Sequence, residues 1–236
     1  MKSVLSAIVA IVAVVGVPTL SQADSIVLHD LTEGRFASNA AGPVGIGGPF
    51  LATTTGTLLG NSDFLTLCLE YDEHVAYDEP YSFTLSDGAI SGGVSGGSPD
   101  PLADATMWLA YQAVTGLYSE WYAAATGNAF NTYVGANFQY AIWLLEGERT
   151  SDEIGGPTSA GYLLAQYAIQ HENWSTLYAQ GHRVYALNLT DAAGGPIQDQ
   201  LAYTSASVPD PGSTLLLLGT ALVSLAGAAR RFSLRP

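Results

Sequence analysis

The chain has 236 residues, a formal net charge of −14 and a single cysteine, which excludes a disulfide within the chain and makes phosphate backbones poor partners. Between residues 24 and 207 the imbalance is steeper. Twenty Asp and Glu face three arginines (Arg35, Arg149, Arg183) and no lysine, so this stretch has no side-chain amine of its own to consume a reactive acyl group.

Residues 1–23 read as a secretory signal peptide. Met1-Lys2 precede an apolar run from Val4 to Val17, and Ser21-Gln22-Ala23 supply small residues for cleavage before Asp24. Ile26 and Leu28 suggest a short strand, followed by a Gly/Pro-rich loop from Ala41 to Pro49. Thr53 to Leu59 reads as a Thr-rich strand, with Asn61-Ser62-Asp63 as the turn of a hairpin into the next. That next strand, Phe64 to Tyr71, carries Cys68. Alternation places Leu65, Leu67, Leu69 and Tyr71 on one face and Phe64, Thr66, Cys68 and Glu70 on the other. A lone thiol so placed is either an inert buried side chain or one with a chemical use.

Asp72 to Pro80 is an acidic loop without the spacing or glycine of a calcium loop. His29, His74, His171 and His182 lie without metal-ligand spacing, so neither a metal nor a cofactor is expected. Tyr81 to Leu85 reads as a strand and Ser86 to Ser98 as a Gly/Ser loop. Asp100 and Pro101 are placed to cap and open a helix from Leu102 to about Thr115 that buries Met107, Leu109, Ala110 and Val114. Tyr118 to Ala125 suggests a short helix before Gly127. The strongest helical signal is Phe138, Ala141, Ile142 and Leu145, closed by Gly147, with Gln139 and Trp143 sharing a neighbouring face. Thr158 or Ser159 caps a fourth helix containing Leu163, Leu164, Tyr167 and Ala168. Val184 to Leu189 and Gln198 to Tyr203 read as closing strands. Strands outside and helices between them predict an α+β fold, a β-sandwich or barrel with a central helical insertion.

After residue 207 come Val208-Pro209-Asp210-Pro211-Gly212-Ser213, an apolar helix over about 213–229, and Arg230-Arg231. This order of parts, over 208–236, resembles the PEP-CTERM sorting signal of Gram-negative bacteria, with Asp210 in place of the usual glutamate. The resemblance implies export, transient residence in the inner membrane, processing by an exosortase, and delivery to the cell surface or extracellular matrix.

Three pieces of the 24–207 domain, Leu67-Cys68-Leu69-Glu70, Phe138-Gln139-Tyr140-Ala141-Ile142-Trp143 and Ile197-Gln198-Asp199-Gln200-Leu201-Ala202, together resemble the bacterial thioester domain of surface adhesins. Phe138 stands where that family has threonine, and Glu70 where it has an apolar residue. The resemblance implies an internal thioester between Cys68 and Gln198, with Gln139 orienting the carbonyl. It also implies covalent attachment to an amine- or hydroxyl-bearing surface or matrix molecule. Such a bond reacts once, so turnover catalysis is not expected. Its formation needs near-attack contact and exclusion of water, for which Phe64, Tyr140, Trp143 and Tyr203 are candidate walls. Glu70 is either a proton acceptor or a solvated strand-end carboxylate. The alternative function is a non-covalent structural or glycan-binding protein of the extracellular polysaccharide matrix, with Cys68 merely buried.

Overall fold

The computed structural model describes residues 24–30, 49–60, 62–91, 97–127 and 134–205. The signal-peptide and sorting-signal segments lie outside the described residues, as does most of the Gly/Pro-rich loop. Among the described residues no helix is long and apolar enough to cross a membrane.

Six strands form one antiparallel sheet: β1 (Ser25–Asp30), β2 (Phe50–Thr55), β3 (Ser62–Thr66), β4 (Pro80–Ser86), β7 (His182–Thr190) and β8 (Pro196–Ser205). Their order is β3-β2-β1-β4-β7-β8. Two short strands, β5 (Gly88–Ala89) and β6 (Asp100–Pro101), pair separately. The large sheet curls until its outer strands meet. Beyond β3, Cys68 bridges to Gln200, Leu69 N–H donates to the Asp199 carbonyl at 2.9 Å, and Leu201 N–H donates to the Leu67 carbonyl at 2.9 Å.

Among the described residues the helices all lie between β6 and β7: α1 (Asp104–Thr115), a 3₁₀ turn (Leu117–Glu120), α2 (Tyr122–Thr126), α3 (Val134–Leu145), α4 (Ala160–His171) and α5 (Trp174–Ala179). The mixed α+β class expected from the sequence is what the chain adopts, with the helical block set into a curled sheet. Two apolar clusters follow. The first joins the helices to one face of the sheet through Leu67, Leu69, Val184, Ala186 and Leu201. The second takes Ile26, Leu28, Phe50, Ala52, Phe83, Leu187, Leu189 and Cys68 from the opposite face, and α3 adds Trp143 and Tyr140 to it.

The cysteine segment therefore divides between the clusters as alternation requires, Leu67 and Leu69 one way and Phe64 and Cys68 the other. The alternation fails at Tyr71, which packs in the Cys68 cluster. A local tie accounts for it. Tyr71 N–H donates to Glu148 Oε2 at 3.1 Å, its ring meets Trp143 edge-on at 5.0 Å, and Arg149 stacks over it at 3.2 Å. Gly147, at φ 74°, ends α3 so that Glu148 and Arg149 turn back to that position.

Several expectations need correction. The Thr-rich strand stops at Thr55 because the Asp24 carboxylate takes the Thr57 and Leu58 N–H groups, turning the chain at Gly56. Ser62 and Asp63 belong to β3 and not to the turn. Asp100 and Pro101 form β6, so Ala103 is the residue before α1 and offers no side-chain cap. Gly88 lets β6 approach, since a Cβ there would sit 2.2 Å from the Asp100 carbonyl oxygen. Helix α1 buries Ala105, Trp108, Leu109, Ala110 and Ala113, leaving Met107 and Val114 half-buried. Its buried stripe is rotated because the helix is covered by both α3 and α4. Leu145 and Leu163 are likewise half-buried, whereas Ser159 does cap α4 by accepting the Tyr162 N–H. Helix α5 carried no clear period and was not expected.

Helix α4 crosses α3 at Gly161, where an added Cβ would come within 2.7 Å of the Tyr140 Cβ. That close approach fixes the height of α3, and with it the position of Gln139.

Candidate functional site

The sheet closure places Cys68 opposite the closing strand. Its Sγ lies 3.1 Å from Gln198 Oε1, and the thiol donates to that oxygen. Both residues are buried, Cys68 completely and Gln198 at 3 % exposure. Gln198 Nε2 donates to the Glu70 carbonyl at 2.7 Å. A carbonyl can only accept, so this bond fixes which end of the amide is nitrogen and turns the amide oxygen toward sulfur.

Gln198 reaches the thiol because β8 is irregular there. Leu187 pairs with Gln200 and Leu189 with Ile197, so Gln198 and Asp199 together face the single residue Asn188. A bulge of this kind redirects side chains. Here Ile197 packs in the same cluster as Cys68 while its neighbour Gln198 also faces the cysteine. The Asp199 carboxylate stabilises the bulge, since Oδ1 accepts the Leu189 N–H at 3.2 Å and Oδ2 accepts the Ile90 N–H at 2.7 Å. In turn Asp199 N–H donates to Glu70 Oε2 at 2.9 Å.

Gln139 is fully buried and grips the cysteine through its main chain. Its Oε1 accepts the Cys68 N–H at 2.9 Å and its Nε2 donates to the Cys68 carbonyl at 2.8 Å. It therefore orients the residue that bears the thiol. The expected contact with the Gln198 carbonyl is absent from its hydrogen bonds, which run to the main chain of Cys68.

A second amide reaches that carbonyl, one the sequence reading did not single out. Gln200 is fully buried, and its Nε2 lies 3.5 Å from Cys68 Sγ, 3.5 Å from Gln198 Oε1 and 3.4 Å from the Gln198 main-chain oxygen. The signal was available in the i, i+2 spacing of Gln198 and Gln200, which puts both on one strand face.

Of the candidate walls, Phe64, Tyr140 and Trp143 share the Cys68 cluster. Tyr203 does not. It packs with the helices on the opposite face, and its hydroxyl meets His182 Nδ1 at 2.8 Å. Odd-numbered β8 positions beyond the bulge, Leu201 and Tyr203, face away from the thiol.

Glu70 is 4 % exposed and so is not a solvated strand-end carboxylate. Burial pushes its pKa up to about 8, opposed by the Asp199 N–H and reinforced by the Asp199 and Glu73 carboxylates. Burial also raises Asp199 to about 6, with the Ile90 and Leu189 N–H groups opposing. Near neutral pH Glu70 is thus mostly protonated, and the site holds less negative charge than its sequence implies.

No group of three or more His, Cys, Asp and Glu among the described residues could hold a metal ion. His29 bonds Asp78 at 2.6 Å and His171 the Tyr167 carbonyl at 2.9 Å, so these rings have local partners. A cleft of about 550 Å³ opens elsewhere, lined by Trp174, Tyr178, Arg183, Asp87, Asp104 and Met107 among others. Comparison with protein families, with curated proteins and with solved structures finds no match to this chain.

Chemically, a thiol and a carboxamide held together in a dry pocket can exchange acyl partners. Sulfur attacks the Gln198 amide carbon, the S–C bond forms and the C–N bond breaks. The nitrogen leaves as ammonia, carrying the thiol proton. An amide is a poor donor in water, so such a step needs the fixed approach and the excluded solvent that this arrangement supplies.

Proposed function

We propose that the chain is an exported protein whose Cys68 and Gln198 form an internal thioester for covalent attachment to a surface or matrix molecule. The observation that carries this reading is the 3.1 Å approach of Cys68 Sγ to Gln198 Oε1, buried between an early strand and the closing one. The resemblance of the three sequence pieces to the bacterial thioester domain supports it. So does the lack of lysine between residues 24 and 207, which leaves the acyl group for a nucleophile on another molecule.

In that reaction an amine or hydroxyl adds to the Gln198 acyl carbon. The S–C bond breaks, Cys68 recovers its proton, and an amide or ester remains on Gln198. Each chain reacts once. The tail's resemblance to a PEP-CTERM signal supports a reaction at the cell surface or in the extracellular matrix after exosortase processing. Incubating the purified full-length chain with methylamine tests the reading. A thioester-bearing chain gains the amine and releases a titratable Cys68 thiol, and an unreactive chain contradicts it.

A second reading keeps Cys68 as a buried hydrophobe in a non-covalent matrix or glycan-binding protein. The feature that favours it is the cleft beside Trp174 and Tyr178, where aromatic faces and the Asp87 and Asp104 carboxylates adjoin. Oligosaccharide affinity that survives Cys68→Ala, in a chain without methylamine reactivity, selects this reading.

A further inference from the structure

We infer that Gln200 is a catalytic residue of the proposed acyl transfer, its side-chain amide acting as the oxyanion donor for the Gln198 carbonyl. The inference rests on the thioester reading and adds a group that neither the cysteine nor its acyl donor provides.

Attack on the Gln198 carbon, by Cys68 or later by an external amine, moves negative charge onto Gln198 Oε1. A donor already aimed at that atom lowers the barrier most when it is fixed and shielded from water. Gln200 meets both conditions. It is completely buried, it bridges to Cys68 across the sheet closure, and its Nε2 stands 3.5 Å from both the oxygen that gains charge and the sulfur that attacks. Its orientation is determined by its surroundings. Nitrogen faces the sulfur and the two oxygens of Gln198, while Oε1 faces the Thr66 hydroxyl at 3.5 Å. Swapping the two amide ends would set oxygen against oxygen.

These are long contacts in the resting amide, where Oε1 carries little charge. They strengthen as the carbonyl carbon becomes tetrahedral and the oxygen becomes anionic. The thiol itself donates to Oε1 in the resting site. Once its proton has left with ammonia that donor is gone, and Gln200 remains for the second step, the attack of the external nucleophile. The hydrogen bonds of Gln139 run to the Cys68 main chain and none runs to Gln198.

The test uses the full-length chain and follows its reaction with methylamine by intact mass and thiol release. Gln200→Met keeps the volume and removes the donor. Gln200→Asn keeps an amide but withdraws it, and serves if the Met variant does not fold. The expected result is a bond that still forms but reacts with methylamine on the order of 100- to 1000-fold more slowly, with melting temperature followed as a control. Equal rates in wild type and a folded variant overturn the inference and leave the thioester reading standing. Ammonia loss that persists in Gln198→Met and vanishes in Gln200→Met overturns the inference and the assignment of Gln198 together, since Gln200 is then the acyl donor itself. A wild-type chain that never loses ammonia overturns both.

Discussion

Gln139 clamps Cys68 from a neighbouring helix, accepting its N–H at 2.9 Å and donating to its carbonyl at 2.8 Å. The segment that bears the thiol is thereby paired on one side to β8 and on the other to a side chain. This matters because β3 itself ends at Thr66, two residues before the cysteine. Removing the clamp takes a buried hydrogen bond from the Cys68 N–H and another from its carbonyl. Gln139→Leu is accordingly expected to lower stability by about 2–4 kcal/mol, the cost of two lost buried hydrogen bonds. Urea denaturation measures the loss, and the surviving folded fraction should also lack the cross-link. An unchanged midpoint would show that the clamp is dispensable.

Gln198→Glu tests the acyl donor with almost no change in shape. A carboxyl group cannot lose ammonia, and its ionised form is a poor acyl donor, so the variant should carry a free Cys68 thiol that reacts with iodoacetamide on unfolding. The Glu70 carbonyl, which now receives Gln198 Nε2 at 2.7 Å, would face an oxygen instead. Relative to Cys68→Ala, which cannot lose the Gln198 nitrogen and so keeps that hydrogen bond, the variant should melt at a lower temperature.

The pH dependence of stability follows from the buried acids. Glu70 is pushed up to about 8, Glu146 to about 7 and Asp199 to about 6, each chiefly by burial. A raised carboxyl pKa means that the folded state binds more protons than the unfolded one. Stability is therefore greatest below the unfolded carboxyl values and falls as pH rises through the folded ones. The melting temperature should drop from about pH 5 to above about pH 8. Glu70→Gln should flatten the upper part of that fall. The net charge of −14 works in the same direction through self-repulsion, and the variant separates the two, because a charge effect alone would leave the slope nearly unchanged. A melting temperature that rises toward pH 8 would contradict this account.

The bulge on β8 depends on one carboxylate. Asp199→Ala removes the acceptor for the Ile90 and Leu189 N–H groups, and should destabilise the chain by about 2–4 kcal/mol. It should also slow or abolish ammonia loss by letting Gln198 drift from the thiol. Asp199→Asn keeps one acceptor oxygen and should fall between. Hydrogen exchange at Ile90 and Leu189 reports the local opening, and retained protection in Asp199→Ala would show that the bulge does not rely on it.

Much of the frame was legible from residue order. The strands bracketing a helical block, the cap at Ser159 and the facing of Leu67 and Leu69 away from Cys68 all follow from period and capping chemistry. The placement of Gln139 beside the cysteine segment was implied by the resemblance to the thioester domain and not by period, and its hydrogen bonds to the Cys68 main chain were not implied at all. Roles that depend on sheet closure were not legible. Nothing local says that residues 198 and 199 share one partner across the ladder, and although alternation sets Gln200 on the face of Gln198 and Tyr203 on the other, it does not say how close Gln200 comes to the thiol. Glu70 reads either as a proton acceptor or as a solvated strand-end carboxylate, and only the Asp199 N–H beside it explains a buried carboxyl. Asp100 misled for a related reason, since a capping residue and a short β-pairing residue look alike until Gly88 is brought opposite.

The intact mass of the purified full-length chain tests the central claim most directly. A Cys68–Gln198 thioester lowers it by ~17 Da, one ammonia, relative to the sequence mass of the same processed form, and peptide mapping then joins the Cys68 and Gln198 peptides, with Cys68→Ala restoring the full mass. A wild-type chain at full mass, with one thiol free to titrate after unfolding, contradicts it.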